Sequence, residues 1–123
     1  MDICIALALS STVLLRMQSP LTLAFEHSVE RTRIEEDYER LGDALVLTEV
    51  RTRGPAAGIE PPVHARSADG WWHYPPQIEP LPRSLFRNTL LRGGYEVCRA
   101  GRCTRLADLL GDEQRLLEMA PCP

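Results

Sequence analysis

His27, Ser28, Glu30, Glu35 and Glu36 crowd into one short stretch of a 123-residue chain, and they form its densest group of side chains able to do chemistry. An imidazole beside carboxylates can hold a cation, orient a polar ligand or move a proton. What it does depends on which of these groups share a face, so the elements that carry them come next.

Leu21, Leu23, Phe25, His27 and Val29 alternate with Thr22, Ala24, Glu26, Ser28 and Glu30, the period of a half-buried strand. Ile34, Glu36, Tyr38 and Arg40 alternate in the same way with Glu35, Asp37 and Glu39. A reversal at Arg31-Thr32 would set Val29 against Ile34, His27 against Glu36 and Phe25 against Tyr38, with the apolar residues on one face. In that register Glu36 orients the His27 imidazole and raises its pKa. Two readings follow. One is a pocket for a small molecule or cation at the hairpin end, bounded by His27, Glu30, Glu36 and the small residues around Gly58. The other is a satisfied His–Glu pair that fixes strand register, with Glu30 and Arg33 as a salt bridge at its rim. Ser28 falls on the opposite face from His27, which disfavours a Ser–His nucleophile. A metal site on His27 and Glu36 lacks a third ligand unless His64 or His73 is brought in by a loop. No catalytic residue, metal or cofactor is therefore expected.

The flanking chain reads as further strands. Residues 2–9 and 12–17 read as strands, Gln18-Ser19-Pro20 as a turn, Leu41-Gly42-Asp43 as another turn, and Ala44 onward as the next strand. Residues 54–70 are too rich in Gly and Pro for a long helix. Asp69-Gly70 turns into a short strand, Trp71–Tyr74, and residues 75–82 read as a polyproline-like connection. Ser84–Leu91 is ambiguous between strand and helical turn. Tyr95–Arg99 and Thr104–Leu106 flank a turn, Leu106–Leu110 reads as one helical turn, and residues 112–118 extend either that helix or a last strand. The expectation is one domain over residues 1–123, all-β: an antiparallel sandwich or partly open barrel of about seven to nine strands with at most one short C-terminal helix. Trp71 and Trp72 must point to opposite faces of their strand. One suits the core, and the other, with Tyr74, suits a partner-binding surface.

Net charge is −3 and every basic residue is arginine. Residues 26–49 are acidic and residues 83–105 are arginine-rich, so the two regions are expected to lie side by side and neutralise each other. Net charge and the lack of aromatic interleaving argue against a nucleic-acid partner. No stretch is long enough to span a membrane.

Four cysteines carry the compartment argument. Cys98 and Cys103 flank an Arg-Ala-Gly-Arg turn that would place them opposite each other, and Cys4 and Cys122 lie at the two ends. Three pairings are formally possible; 4–122 with 98–103 is favoured over the others and over a zinc site on the four thiols. Oxidised cysteines imply export to the periplasm. The N-terminus is a poor signal peptide, since Asp2 stands where a basic residue is expected. The expectation is that a leader has been removed, the alternative being a cytoplasmic protein with free thiols.

His27-Ser28-Val29-Glu30, Thr32, Glu35-Glu36, Ala57-Gly58, Glu60-Pro61-Pro62, the Trp71-Trp72 pair and the late cysteine pair occur in an order that resembles the bacterial domain of unknown function 1850 family. Arg33 stands where many relatives have proline, and Pro55-Ala56 where Ser-Gly is common. The resemblance implies a small extracytoplasmic protein, often encoded beside tripartite transporters of the TAXI-type TRAP class. It therefore implies a non-enzymatic accessory or binding component, with the solute-binding protein or the permease as partner.

Overall fold

The computed structural model describes residues 1–26, 31–53, 63–88, 94–110 and 115–123. Eleven strands among them form two antiparallel sheets. β1 (Asp2–Leu7), β2 (Val13–Gln18), β8 (Ser84–Arg87) and β11 (Leu116–Pro121) make the smaller sheet, in the order β2-β1-β11-β8. β3 (Leu21–Glu26), β4 (Arg33–Leu41), β5 (Ala44–Thr52), β6 (Arg66–Ala68), β7 (Trp71–Tyr74), β9 (Glu96–Arg99) and β10 (Arg102–Arg105) make the larger, in the order β10-β9-β3-β4-β5-β7-β6. The one helix described, α1, is the single turn Ala107–Leu110. The all-β sandwich expected from the alternation is the fold. The strand count exceeds the expected range because the segments the sequence left ambiguous, around 66–68, 84–87 and 116–121, are all strands.

Short two-residue turns set three hairpins. Leu41 pairs with Ala44 across Gly42-Asp43, Ala68 with Trp71 across Asp69-Gly70, and Arg99 with Arg102 across Ala100-Gly101. Asp69, Gly70, Ala100 and Gly101 all have positive φ, as does Gly42. That is the requirement of the primed turns whose twist matches the strands they join.

Ile3, Ile5, Leu117, Met119 and Phe86 of the smaller sheet pack on Leu21, Leu23, Tyr38, Leu45 and Val97 of the larger, with Leu106 closing one side. Arg40 ties the two sheets at one end. Its guanidinium donates to the carbonyls of Asp2 at 2.7 Å and Cys122 at 3.1 Å. Both disulfides are formed, Cys4–Cys122 between the first and last strands and Cys98–Cys103 across the β9–β10 hairpin.

The charge pattern resolves differently from the expectation. Among the described residues, Glu35, Asp37 and Glu49 of the acidic region are held by Arg33 and Arg51, with Arg66 also reaching Glu49. One ion pair does join the two regions, but with the signs reversed: Arg33 Nη1 meets Glu96 at 2.9 Å. The reason is register. A single row across the outer face reads Arg105, Glu96, Ala24, Glu35, Arg51, His73, Arg66, so Glu96 has Arg105 beside it and Glu35 has Arg51. Directly opposite residues are the ones close enough to pair.

Candidate functional site

The inner face of the larger sheet carries one carboxylate among the described residues, set in a largely apolar row. The row that crosses its middle reads Val97, Leu23, Glu36, Val50, Tyr74. Because Ile34 and Tyr38 point inward, the strand period forces Glu36 inward as well. A carboxyl thus sits between Leu23 and Val50, on the side that faces the other sheet.

The expected partner of Glu36 is corrected. β3 and β4 pair Phe25 with Ile34, Leu23 with Glu36 and Leu21 with Tyr38. The face assignment holds, but the pairing runs further down β3, because that strand's ladder ends at Glu26 and the connection to Arg33 is longer than a two-residue turn. Glu36 therefore lies opposite Leu23, not His27. His27, Ser28, Glu30 and Gly58 lie outside the described residues.

Around Glu36 the chain gathers tyrosines. The Tyr38 hydroxyl donates to Glu36 Oε1 at 3.3 Å. Burial pushes the Glu36 carboxyl up from its ordinary value, and the Tyr38 hydrogen bond offsets only part of that. Tyr38 is itself pushed up by burial, then by the charge and hydrogen bond of Glu36. Tyr74 and Tyr95 are pushed up too, by burial first and then by the Glu36 charge. The Tyr95 ring packs between Phe25 at 5.0 Å and Phe86 at 4.7 Å. Its backbone N–H donates to Asn88 Oδ1.

Two buried polar atoms at this end have no hydrogen-bond partner among the described residues. They are Thr52 Oγ1, in the inner row next to that of Glu36, and Asn88 Nδ2. Both side chains are fully buried. A buried donor or acceptor left unmade costs roughly 1–3 kcal/mol, so such atoms mark places where a further group would be stabilised. Glu36 supplies an acceptor and a charge; Thr52 and Asn88 supply further hydrogen-bonding capacity; the tyrosines supply hydroxyls and ring faces. This arrangement can bind a polar or cationic group. Among the described residues no cluster of three His, Cys, Asp or Glu stands ready for a metal ion.

The aromatic strand divides between the two faces. Trp72 lies opposite Thr52 in the inner row and Tyr74 belongs to the row of Glu36, whereas the ring of Trp71 is covered by the Arg53 guanidinium at 5.5 Å. All three are half-buried. Tyr38, Thr52, Asn88 and Tyr95 were missed as site residues from sequence. Tyr38 had a signal, since it shares the strand parity of Glu36. Asn88 and Tyr95 come from β8 and β9 flanks, and nothing in their spacing points to Glu36.

An expected result follows for Glu36→Gln. The folded-state pKa is raised, so the native protein holds this proton more tightly than the unfolded chain. Stability therefore falls as pH climbs from the ordinary glutamate value of 4.5 through the raised value. The amide lacks this penalty. Urea unfolding should show Glu36→Gln more stable than the parent at neutral pH, with the difference vanishing near pH ~4. Equal stability at both pH values would mean that the carboxyl is well hydrated.

A family model described as Domain of unknown function (DUF1850) matches residues 21–106. The match begins at the first residue of β3 and covers the whole larger sheet with β8, including Glu36 and the Cys98–Cys103 bridge. No curated protein and no solved structure matches the chain. No helix among the described residues is long and apolar enough to cross a membrane.

Proposed function

The chain belongs to the DUF1850 family, and on that premise we propose that it is a non-enzymatic binding or accessory component that works in the periplasm beside a TAXI-type TRAP transporter. The observation that carries the binding part is the inward carboxyl of Glu36, set among three tyrosines at an end where Thr52 and Asn88 have hydrogen-bonding atoms without a partner among the described residues. The two disulfides support an oxidising compartment, where such bonds persist. The transporter association is what the family resemblance implies, and its partner is the solute-binding protein or the permease. The test is capture of those subunits by the tagged, oxidised chain. Retention in an oxidising buffer, lost on reduction, supports the proposal; no retention at ~1 μM protein counts against it.

A second reading is favoured by the same unsatisfied atoms: a module that binds a small molecule or cation at this end, with the His27 region contributing. Calorimetry with amines, amino acids and divalent cations separates the two readings. Binding that Glu36→Gln and His27→Ala both weaken selects the module; no heat in any of the three titrations removes it.

A further inference from the structure

A groove of about 480 Å³ opens where the β3–β9 ladder stops. The last pair of that ladder is Ala24 with Glu96, yet β3 continues to Glu26 alongside Arg33 of β4. Beyond Glu96 the chain turns away from β3. The Tyr95 N–H is taken by Asn88 and its carbonyl accepts from the Leu106 N–H at 3.0 Å. The gap left between β3 and Gly94 is floored by Phe25 and edged by charges.

Among the described lining residues those charges are three arginines, Arg31, Arg33 and Arg105, and two glutamates, Glu26 and Glu96. Arg33 is committed, with Nε on Glu35 and Nη1 on Glu96, both at 2.9 Å. Arg31 and Arg105 make no ion pair or side-chain hydrogen bond among the described residues. Arg105 is placed at the groove by its pairing with Glu96 across β9–β10. Arg31 sits there with φ at 55°, a left-handed conformation that arginine rarely adopts.

We propose that this groove binds a small organic monocarboxylate, its carboxylate taken by the Arg31 and Arg105 guanidinium groups and its apolar body laid against Phe25. Guanidinium presents planar donors that match a carboxylate. Over the described lining residues the positive charge exceeds the negative by one unit, and Glu26 and Glu96 disfavour a doubly charged phosphate. The Phe25 ring, backed by Tyr95, gives an apolar surface that a bare inorganic ion would not use, and the volume lies in the range of small-ligand sites. This goes beyond the binding reading above, at a different site, and needs neither the transporter nor Glu36, so failure to capture transporter subunits leaves it standing, and the reverse also holds.

The experiment is calorimetric titration of the oxidised full chain with benzoate, and separately with inorganic phosphate. Benzoate should bind, phosphate more weakly, and Arg31→Gln and Arg105→Gln should each raise the benzoate Kd on the order of tenfold. Binding should weaken with added salt because both guanidinium groups are exposed. No benzoate heat up to about 10 mM, tighter binding of phosphate, or variants that bind like the parent would each overturn the proposal. Should a variant misfold, amide shifts of Gly94 and Glu96 in the parent decide instead: movement on adding benzoate supports the groove, and its absence rejects it.

Discussion

Replacing Cys4 and Cys122 together by alanine should lower the unfolding free energy by about 5 kcal/mol, the largest effect expected of any change in this chain. The bridge spans a sequence separation of 118 residues. In the chain-entropy account, the restriction a bridge places on the unfolded chain grows with the logarithm of the loop it closes. The Cys98–Cys103 bridge closes a separation of only 5. Its removal should cost about 2 kcal/mol. Position adds to length. Cys4 and Cys122 join the strand pair that runs through the smaller sheet, where the Cys122 N–H also donates to Asp2 and Arg40 reaches the same carbonyl. A domain of this size is stable by about 5–15 kcal/mol, so loss of the long bridge alone could unfold it. Urea unfolding of the two double variants, each with the other bridge intact, gives the comparison. Equal losses would contradict the loop-length account.

Arg51→Met should cost about 2–3 kcal/mol at neutral pH. Arg51 meets three carboxylates on the outer face: Glu35 at 3.0 Å, Asp37 through both terminal nitrogens at 2.5 and 2.7 Å, and Glu49 at 2.8 Å. Exposed pairs contribute about 0–1 kcal/mol, whereas stripping one partner from a buried pair costs about 3–5 kcal/mol. The Arg51 side chain is 18% exposed, which places it between these limits. Removing it also leaves three carboxylates facing one another. The pH dependence carries its own sign. Burial pushes Asp37 and Glu35 up, but hydrogen bonds from Arg51, with Thr22 and Arg33, more than offset it and hold both below their ordinary values of 3.8 and 4.5. Groups depressed in the folded state contribute stability above those values and lose it as pH falls through the depressed ones. The gap between parent and Arg51→Met should therefore close below pH ~4, measured by urea unfolding across pH. A gap that persists in acid would assign the loss to packing of the arginine stem.

The alternation of apolar and polar residues was enough to find β3, β4 and β5 and, for β3 and β4, to say which side faces inward; in β5 a bulge at Thr48 puts both Leu45 and Val50 in the core. It placed Glu36 on the inner face, since Ile34 and Tyr38 could hardly be elsewhere. It did not place Glu36 along β3. A shift of four residues in the sum of paired positions keeps every side chain on its face, so the pattern cannot tell Leu23 from His27 as the residue opposite. Turn chemistry made the Cys98–Cys103 bridge legible through Gly101, and the terminal positions of Cys4 and Cys122 left them to each other. The gathering of Tyr95 and Asn88 near Glu36 was not legible. It depends on where β8 and β9 lie in two different sheets, and short strands such as Ser84–Arg87 carry too few residues for a period to show. The groove was hidden for a related reason: Arg31 and Arg105 are far apart in sequence and line one groove only where a ladder ends.

Everything assigned to the interior end depends on a half-buried carboxyl held on the face between the two sheets. The most direct measurement is the titration of the Glu36 side-chain carboxyl carbon by NMR in the oxidised protein. A midpoint above the ordinary glutamate value of 4.5, with Tyr38 and Tyr95 resonances moving in the same transition, is the expected result. A midpoint at or below that value would put Glu36 in water or on a cation of the chain itself, and would contradict the site.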